Sequence, residues 1–273
     1  MRLRPLLLTC SAFLAAVHVF GVLAGTPALP WAAVAAFGLL LAYAGVEDRN
    51  YPLLAALAAL TVHAVATIPR KVEVSQYYLE VVEPGVIDGV TGRTLREAAF
   101  LLLVVTLLLF ASLAGAPPAR GVLLAGGGVM ALLAGYATVR IADVMSRFAA
   151  FSRTGRELWS TGADLSVLSG VPLAAALVAV FIAVVAARRP WVVAGAVLLA
   201  LGAALRMDDV LQSVPLPYGA AIHDPFAAWD ELTVSATLPG LRESLRAGLE
   251  LAGIILVVAG LSHRAAGGRV REG

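Results

Sequence analysis

Long apolar blocks, separated by short polar connections, run along almost the whole chain. Eight stand out, at about 5–24, 30–46, 52–69, 98–115, 120–139, 167–187, 190–205 and 245–262. Polar and apolar residues do not alternate inside them, which argues against the strands of a membrane β-barrel. A helix that crosses the hydrocarbon core needs roughly 17–25 apolar residues. The pattern therefore predicts an all-α, polytopic membrane helical bundle of about eight transmembrane helices, arranged as four hairpins. The second, third and seventh blocks sit near the short end of that range. The longest polar connection, about 206–244, is too short for a core of its own. Residues 1–273 thus read as a single integral membrane domain.

A short polar phrase recurs where three of the blocks end. Arg70-Lys71-Val72-Glu73-Val74, Arg140-Ile141-Ala142-Asp143-Val144 and Arg206-Met207-Asp208-Asp209-Val210 all read Arg-x-x-acid-Val. Each is followed by a second phrase, a glycine and then Arg-Glu: Gly92 to Arg96-Glu97, Gly155-Arg156-Glu157, and Gly240 to Arg242-Glu243. The recurrence predicts internal two-helix repeats near 52–115, 120–187 and 190–262. Arg-x-x-acid places both charges on one helical face. At the mouth of a bundle, the arginine can snorkel to headgroups, or the acid can hold it in one pose.

Composition secures the class. Sixty per cent of the residues are hydrophobic and 14% are charged, against roughly 25% charged in soluble domains. Charge then sets an orientation. With the N-terminus in the cytoplasm, the short connections near 47–51, 116–120 and 188–190 and the C-terminal tail fall inside and are rich in arginine, with Arg188-Arg189 the strongest marker. This is the positive-inside pattern. It predicts a multi-pass cell-membrane protein with both termini cytoplasmic and the connections 70–97, 140–166 and 206–244 outside. The overall charge of +2 sums two opposite faces and carries no nucleic-acid signal. Met1-Arg2-Leu3-Arg4 before an apolar run resembles a signal peptide, but the run to Ala24 is long enough to span, so an uncleaved first helix is expected. Cys10 is the single cysteine and excludes an internal disulfide.

Long connections more often carry function than short ones. In the first, Glu73, Gln76, Glu80 and Glu83 share one face of an amphipathic helix that Pro84-Gly85 stops. In the second, Ile141, Val144, Met145, Phe148 and Phe151 form an apolar stripe that continues the fifth helix until Gly155. The third is turn-rich and contains His223-Asp224; these two are the metal candidates, without the spacing of a known metal motif. Within the spans, His18 and His63 lie at similar depth, where a haem or ordinary packing would both use them. Gly21-x-x-x-Gly25 and Gly248-x-x-x-Ala252 would allow close helix contact. Glu250 stands inside the eighth block, where an acid is expensive unless it meets water or a partner; Arg246, one turn earlier, or an outer arginine such as Arg206 would serve.

The candidate ligand-binding residues are therefore Arg70, Glu73, Arg140, Asp143, Arg206, Asp209 and Glu250. No nucleophile elbow, paired intramembrane aspartates or Cys/His metal set is present, which leans against an enzyme and leaves any cofactor unspecified. The preferred expectation is a transporter-like or solute-binding protein with an outward-facing polar cavity. The alternatives are a non-catalytic subunit of a larger membrane complex, and an enzyme acting on a lipid-linked substrate at the outer face. The expected partners are the lipid bilayer and, for the second class, membrane-protein subunits.

Overall fold

The computed structural model describes residues 3–24, 30–45, 50–66, 86–113, 118–149, 155–212 and 239–262. These form α1 (Leu3–Ala24), α2 (Pro30–Gly45), α3 (Tyr51–Ala66), α4 (Val86–Ser112), α5 (Arg120–Ala149), α6 (Gly155–Val185), α7 (Pro190–Gln212) and α8 (Pro239–Ser262). There is no strand among the described residues. The protein is a helical membrane bundle: α1, α4, α5, α6, α7 and α8 each contain a stretch long and apolar enough to cross a membrane. The apolar helices α2 and α3 have 16 residues each, which makes them about 24 Å long.

Local chemistry explains several ends. Proline occupies the first turn of α2, α3, α7 and α8, as Pro30, Pro52, Pro190 and Pro239; its missing N–H is not needed there and its φ is already helical. Asn50 caps α3, its Oδ1 accepting from the Leu53 amide at 3.3 Å. Several hydroxyls inside spans are satisfied within their own helix. Thr61, Thr106 and Ser112 donate to the carbonyls of Leu57, Leu102 and Leu108, which a water-free surrounding demands.

Two sequence expectations about boundaries need correction. The stretch before Ala98 is helical from Val86, so Gly92 and Arg96-Glu97 lie on α4 rather than in a connection. Gly155 opens α6, and Trp159 stands on α6; α5 is described to Ala149. A helix satisfies its own backbone, so it can run past its apolar residues wherever neighbouring helices or water receive its polar side chains. The expected amphipathic helix around Glu73–Glu83, with Arg70, lies outside the described residues, as do His223 and Asp224.

Three contacts join helices that run in opposite chain directions. Asn50, before α3, donates to the carbonyl of Ala111 near the end of α4. Arg4 of α1 lies over the Tyr43 ring near the end of α2. Ser244, early in α8, donates to the Val19 carbonyl late in α1. The bundle therefore has a short-loop end, holding residues 50, 118–119 and 186–189, and a long-loop end, where α1, α3, α5 and α7 finish.

Seven helices close a ring. In order of contact they are α1, α2, α3, α4, α6, α7 and α8, with α8 returning to α1. Leu40, Leu53, Leu57, Leu108, Leu199 and Val257 are fully buried in its walls. The α5 helix stands outside: 11% of its apolar window is buried, against 39–44% for α4, α6, α7 and α8. It lies along α6, where Gly126 faces Val184 so closely that a Cβ would collide. Gly127 and Gly128 face open space, so only the first of the three glycines serves close contact.

The tightest seam joins α7 and α8. A Cβ on Gly195 would lie 2.5 Å from the Gly253 carbonyl oxygen, and one on Gly253 would lie 2.8 Å from the Gly195 oxygen. One on Gly202 would lie 2.9 Å from Cγ of Glu250. These glycines, spaced by seven along each helix with Gly260, do what Gly248-x-x-x-Ala252 was expected to do; Ala252 is exposed. Small residues let backbones approach closely where lipid supplies no hydrophobic drive.

Candidate functional site

A cleft of about 360 Å3 opens among α1, α2, α3, α4, α7 and α8 at the long-loop half of the ring. Its deeper wall is apolar, including Phe37, Leu60, Val104 and Ile254, and its charged residues are Glu97, Arg206, Glu243, Arg246 and Glu250. The histidines 18 and 63 also line it. They come from α1 and α3, which the sequence alone could only place at similar depth. The His63 ring stacks on Phe100 with centroids 4.0 Å apart and planes at 13°.

At the centre, Arg206 binds two carboxylates. Its Nε donates to Oε1 of Glu250 at 2.6 Å and its Nη2 to Oε2 at 2.8 Å, a two-pronged pair. Its Nη1 donates to Oε2 of Glu97 at 3.2 Å. The Arg206 and Glu250 side chains are 17% and 14% exposed. Helix direction makes the meeting natural. Side chains tilt toward the N-terminus of their own helix. Arg206 on α7 therefore leans toward the short-loop end, whereas Glu97 on α4 and Glu250 on α8 lean toward the long-loop end. Gly202, one turn before Arg206, leaves the space that the Glu250 side chain fills.

Of the two partners expected for Glu250, the structure selects Arg206. Arg246 approaches Glu243, at 4.0 Å, along its own helix. Arg246 stands one turn nearer the long-loop end on the same helix, whereas Glu250 crosses to α7. Of the two poses open to an arginine at the end of a span, Arg206 takes the one fixed by acids and does not snorkel.

A second network lies on the opposite side of α7. Residues two apart on a helix are about 200° apart, so Arg206 and Asp208 face away from each other. Oδ1 of Asp208 accepts from Arg140 Nε at 3.1 Å and Nη2 at 2.8 Å. Arg242 Nη2 donates to its Oδ2, and the Tyr136 hydroxyl lies 3.5 Å from Oδ1. Arg140 also donates to Asp143 Oδ2 at 3.2 Å, the pairing that the Arg-x-x-acid spacing predicts. This network ties α5, α7 and α8 together; it does not line the cleft.

The sequence candidates thus separate. Arg206 and Glu250 meet in the cleft; Arg140 and Asp143 meet outside it. Asp209 is on α7, but its side chain is outside the described set, as are Arg70 and Glu73. Glu97, Asp208 and Arg242 were not among the candidates. Two of them belong to the second recurring phrase, Arg96-Glu97 and Arg242-Glu243, which was the available signal. Among the described residues, no group of three or more His, Cys, Asp or Glu is disposed to hold a metal ion. Comparison with protein-family models, with curated proteins and with solved structures finds no match for this chain.

Proposed function

We propose that the chain is a transporter-like or solute-binding membrane protein whose solute enters the cleft from the long-loop end. In this reading that end faces the cell exterior and both termini lie in the cytoplasm, as the arginines of the short loops and tail favour. One observation carries the proposal: Glu97, Arg206 and Glu250 converge from three helices on a cleft inside a ring of spans. Ionisable groups at membrane depth are costly, about 2.5–3.5 kcal/mol each at mid-membrane on insertion scales. A rim pair would hold the ring as well at lower cost, so their place in the cleft supports a binding role.

The test is reconstitution into liposomes, with solute-evoked charge movement or uptake recorded over a panel of small solutes. A signal for one chemical class that Glu97→Gln abolishes, in a variant that still elutes as a single folded species, supports the proposal. Absence of any saturable binding or flux across the panel refutes it. The second reading, a subunit of a membrane complex, draws on α5, where Leu124 and Leu132 are 78% and 74% exposed outside the ring. It requires a partner at fixed stoichiometry that contacts α5 and is lost when that face is altered.

A further inference from the structure

We infer that the cleft takes an organic monocation, a protonated amine or quaternary ammonium attached to an apolar body. The inference rests on the solute-cleft reading above and adds the ligand's chemical class.

The charge arrangement argues against an anion. Arg206 is the cation placed to receive one, and three of its five N–H donors are already committed to Glu97 and Glu250. An anion reaching the remaining donors would lie beside two carboxylates. The other basic group in the lining, Arg246, lies toward Glu243 at the rim. Counting ionised side chains among the described lining residues, three carboxylates stand against two guanidinium groups, so a bound monocation brings that set to neutrality.

The acceptors suit an ammonium. Each Glu250 oxygen accepts one bond from Arg206 and keeps a further lone pair. The bidentate grip fixes the carboxylate plane, and Gly202 fixes its stem, so the acceptor is pre-positioned at little ordering cost. The Phe37 ring is among the lining and favours a cation near its face; one face of Phe100 is taken by His63. The apolar wall calls for a body and not a bare ion. A metal ion would want several hard oxygen ligands, whereas most of this lining is hydrocarbon. At about 360 Å3 the cleft is at the small end of ligand sites, large enough for one ring or a short chain with its head group.

The probes are benzylammonium, benzyl alcohol and benzoate, which share a body and differ in charge. Binding to the purified full chain in lipid nanodiscs is followed by calorimetry and by thermal shift. Benzylammonium should bind saturably, and benzoate should not compete for it. Glu250→Gln and Glu97→Gln should each weaken it by about ten- to hundredfold, the loss of one charge-assisted contact. Glu97→Gln keeps the two-pronged Arg206–Glu250 pair, so it reports on binding even where Glu250→Gln harms folding. Benzyl alcohol binding as tightly as benzylammonium would overturn the inference, because the apolar wall alone would then account for it. Benzoate binding more tightly would overturn it through the charge argument. Transport is judged separately: benzylammonium that binds without crossing liposome membranes supports the ligand class and removes the transport reading.

Discussion

Arg206 meets carboxylates through three of its nitrogens, so removing it does more than delete an attraction. Arg206→Ala would leave Glu97 and Glu250 facing each other in a largely apolar cleft. Breaking a buried pair from one side costs about 3–5 kcal/mol. The expected outcome is a marked loss of thermal stability in detergent, with much of it restored when both glutamates are also changed to glutamine. A single variant that melts like the parent would show that water reaches these groups freely. Arg140 and Asp143 provide the contrast. They are three residues apart on the surface of α5, with the Asp143 side chain 45% exposed. A double-mutant cycle on them should give only about 0.2–0.5 kcal/mol. The same cycle on Arg206 and Glu250 should give several times more, and equal values would contradict the geometry described here.

Among the elements, α7 and α8 depend most on the absence of side chains. At Gly253 an added Cβ would meet the Gly195 oxygen and Leu199 Cγ, each at 2.8 Å. Backbone cannot rotate away as a side-chain tip can, so Gly253→Ala must push the helices apart. Overpacking of this kind costs about 1–3 kcal/mol. Gly127→Ala adds the same methyl on the open side of α5 and should be neutral or slightly stabilising, since alanine is the better helix former. Thermal melts of the two variants side by side check the pair of expectations. Motif spacing pointed to Gly248, whose added Cβ would only touch Val19 at 3.7 Å, and passed over Gly195, Gly202, Gly253 and Gly260, which are seven apart in pairs; helix rotation decides which glycines face a backbone. Pro172 inside α6 removes one backbone donor.

Orientation in the membrane belongs to the whole molecule, and labelling from one side reads it directly. Ala119 and Ala149 bracket α5 and are both exposed. They stand about 45 Å apart along the helix axis, more than the roughly 30 Å of a hydrocarbon core. In a Cys10→Ser background, Ala149→Cys should react with an impermeant thiol reagent applied to intact cells. Ala119→Cys should react only after permeabilisation. The reverse result would turn the bundle over and put the cleft mouth in the cytoplasm, with the cleft chemistry unchanged.

The sequence by itself determined the class, the order of the eight described helices and the approximate place of each, because hydrophobic length is a local property that lipid reads one segment at a time. It also drew attention to the right polar neighbourhoods, through Arg206, Glu250 and the recurring Arg-Glu phrase. It anticipated that α5 continues past its apolar block, but it left the polar first turns of α4 and α6 in connections, because a helix lining a cleft or leaving the membrane stays helical beyond its apolar run. Only the tertiary structure decided the partnerships. Arg206 reaches Glu250 across 44 residues and Glu97 across 109, and Arg140 reaches Asp208 across 68. Spacing along one helix can predict the Arg140–Asp143 pair and no other of these. Which remote carboxylate an arginine meets depends on how the ring closes, on the rotation of each helix within it, and on glycines that let α7 and α8 approach until the charges are within hydrogen-bonding distance.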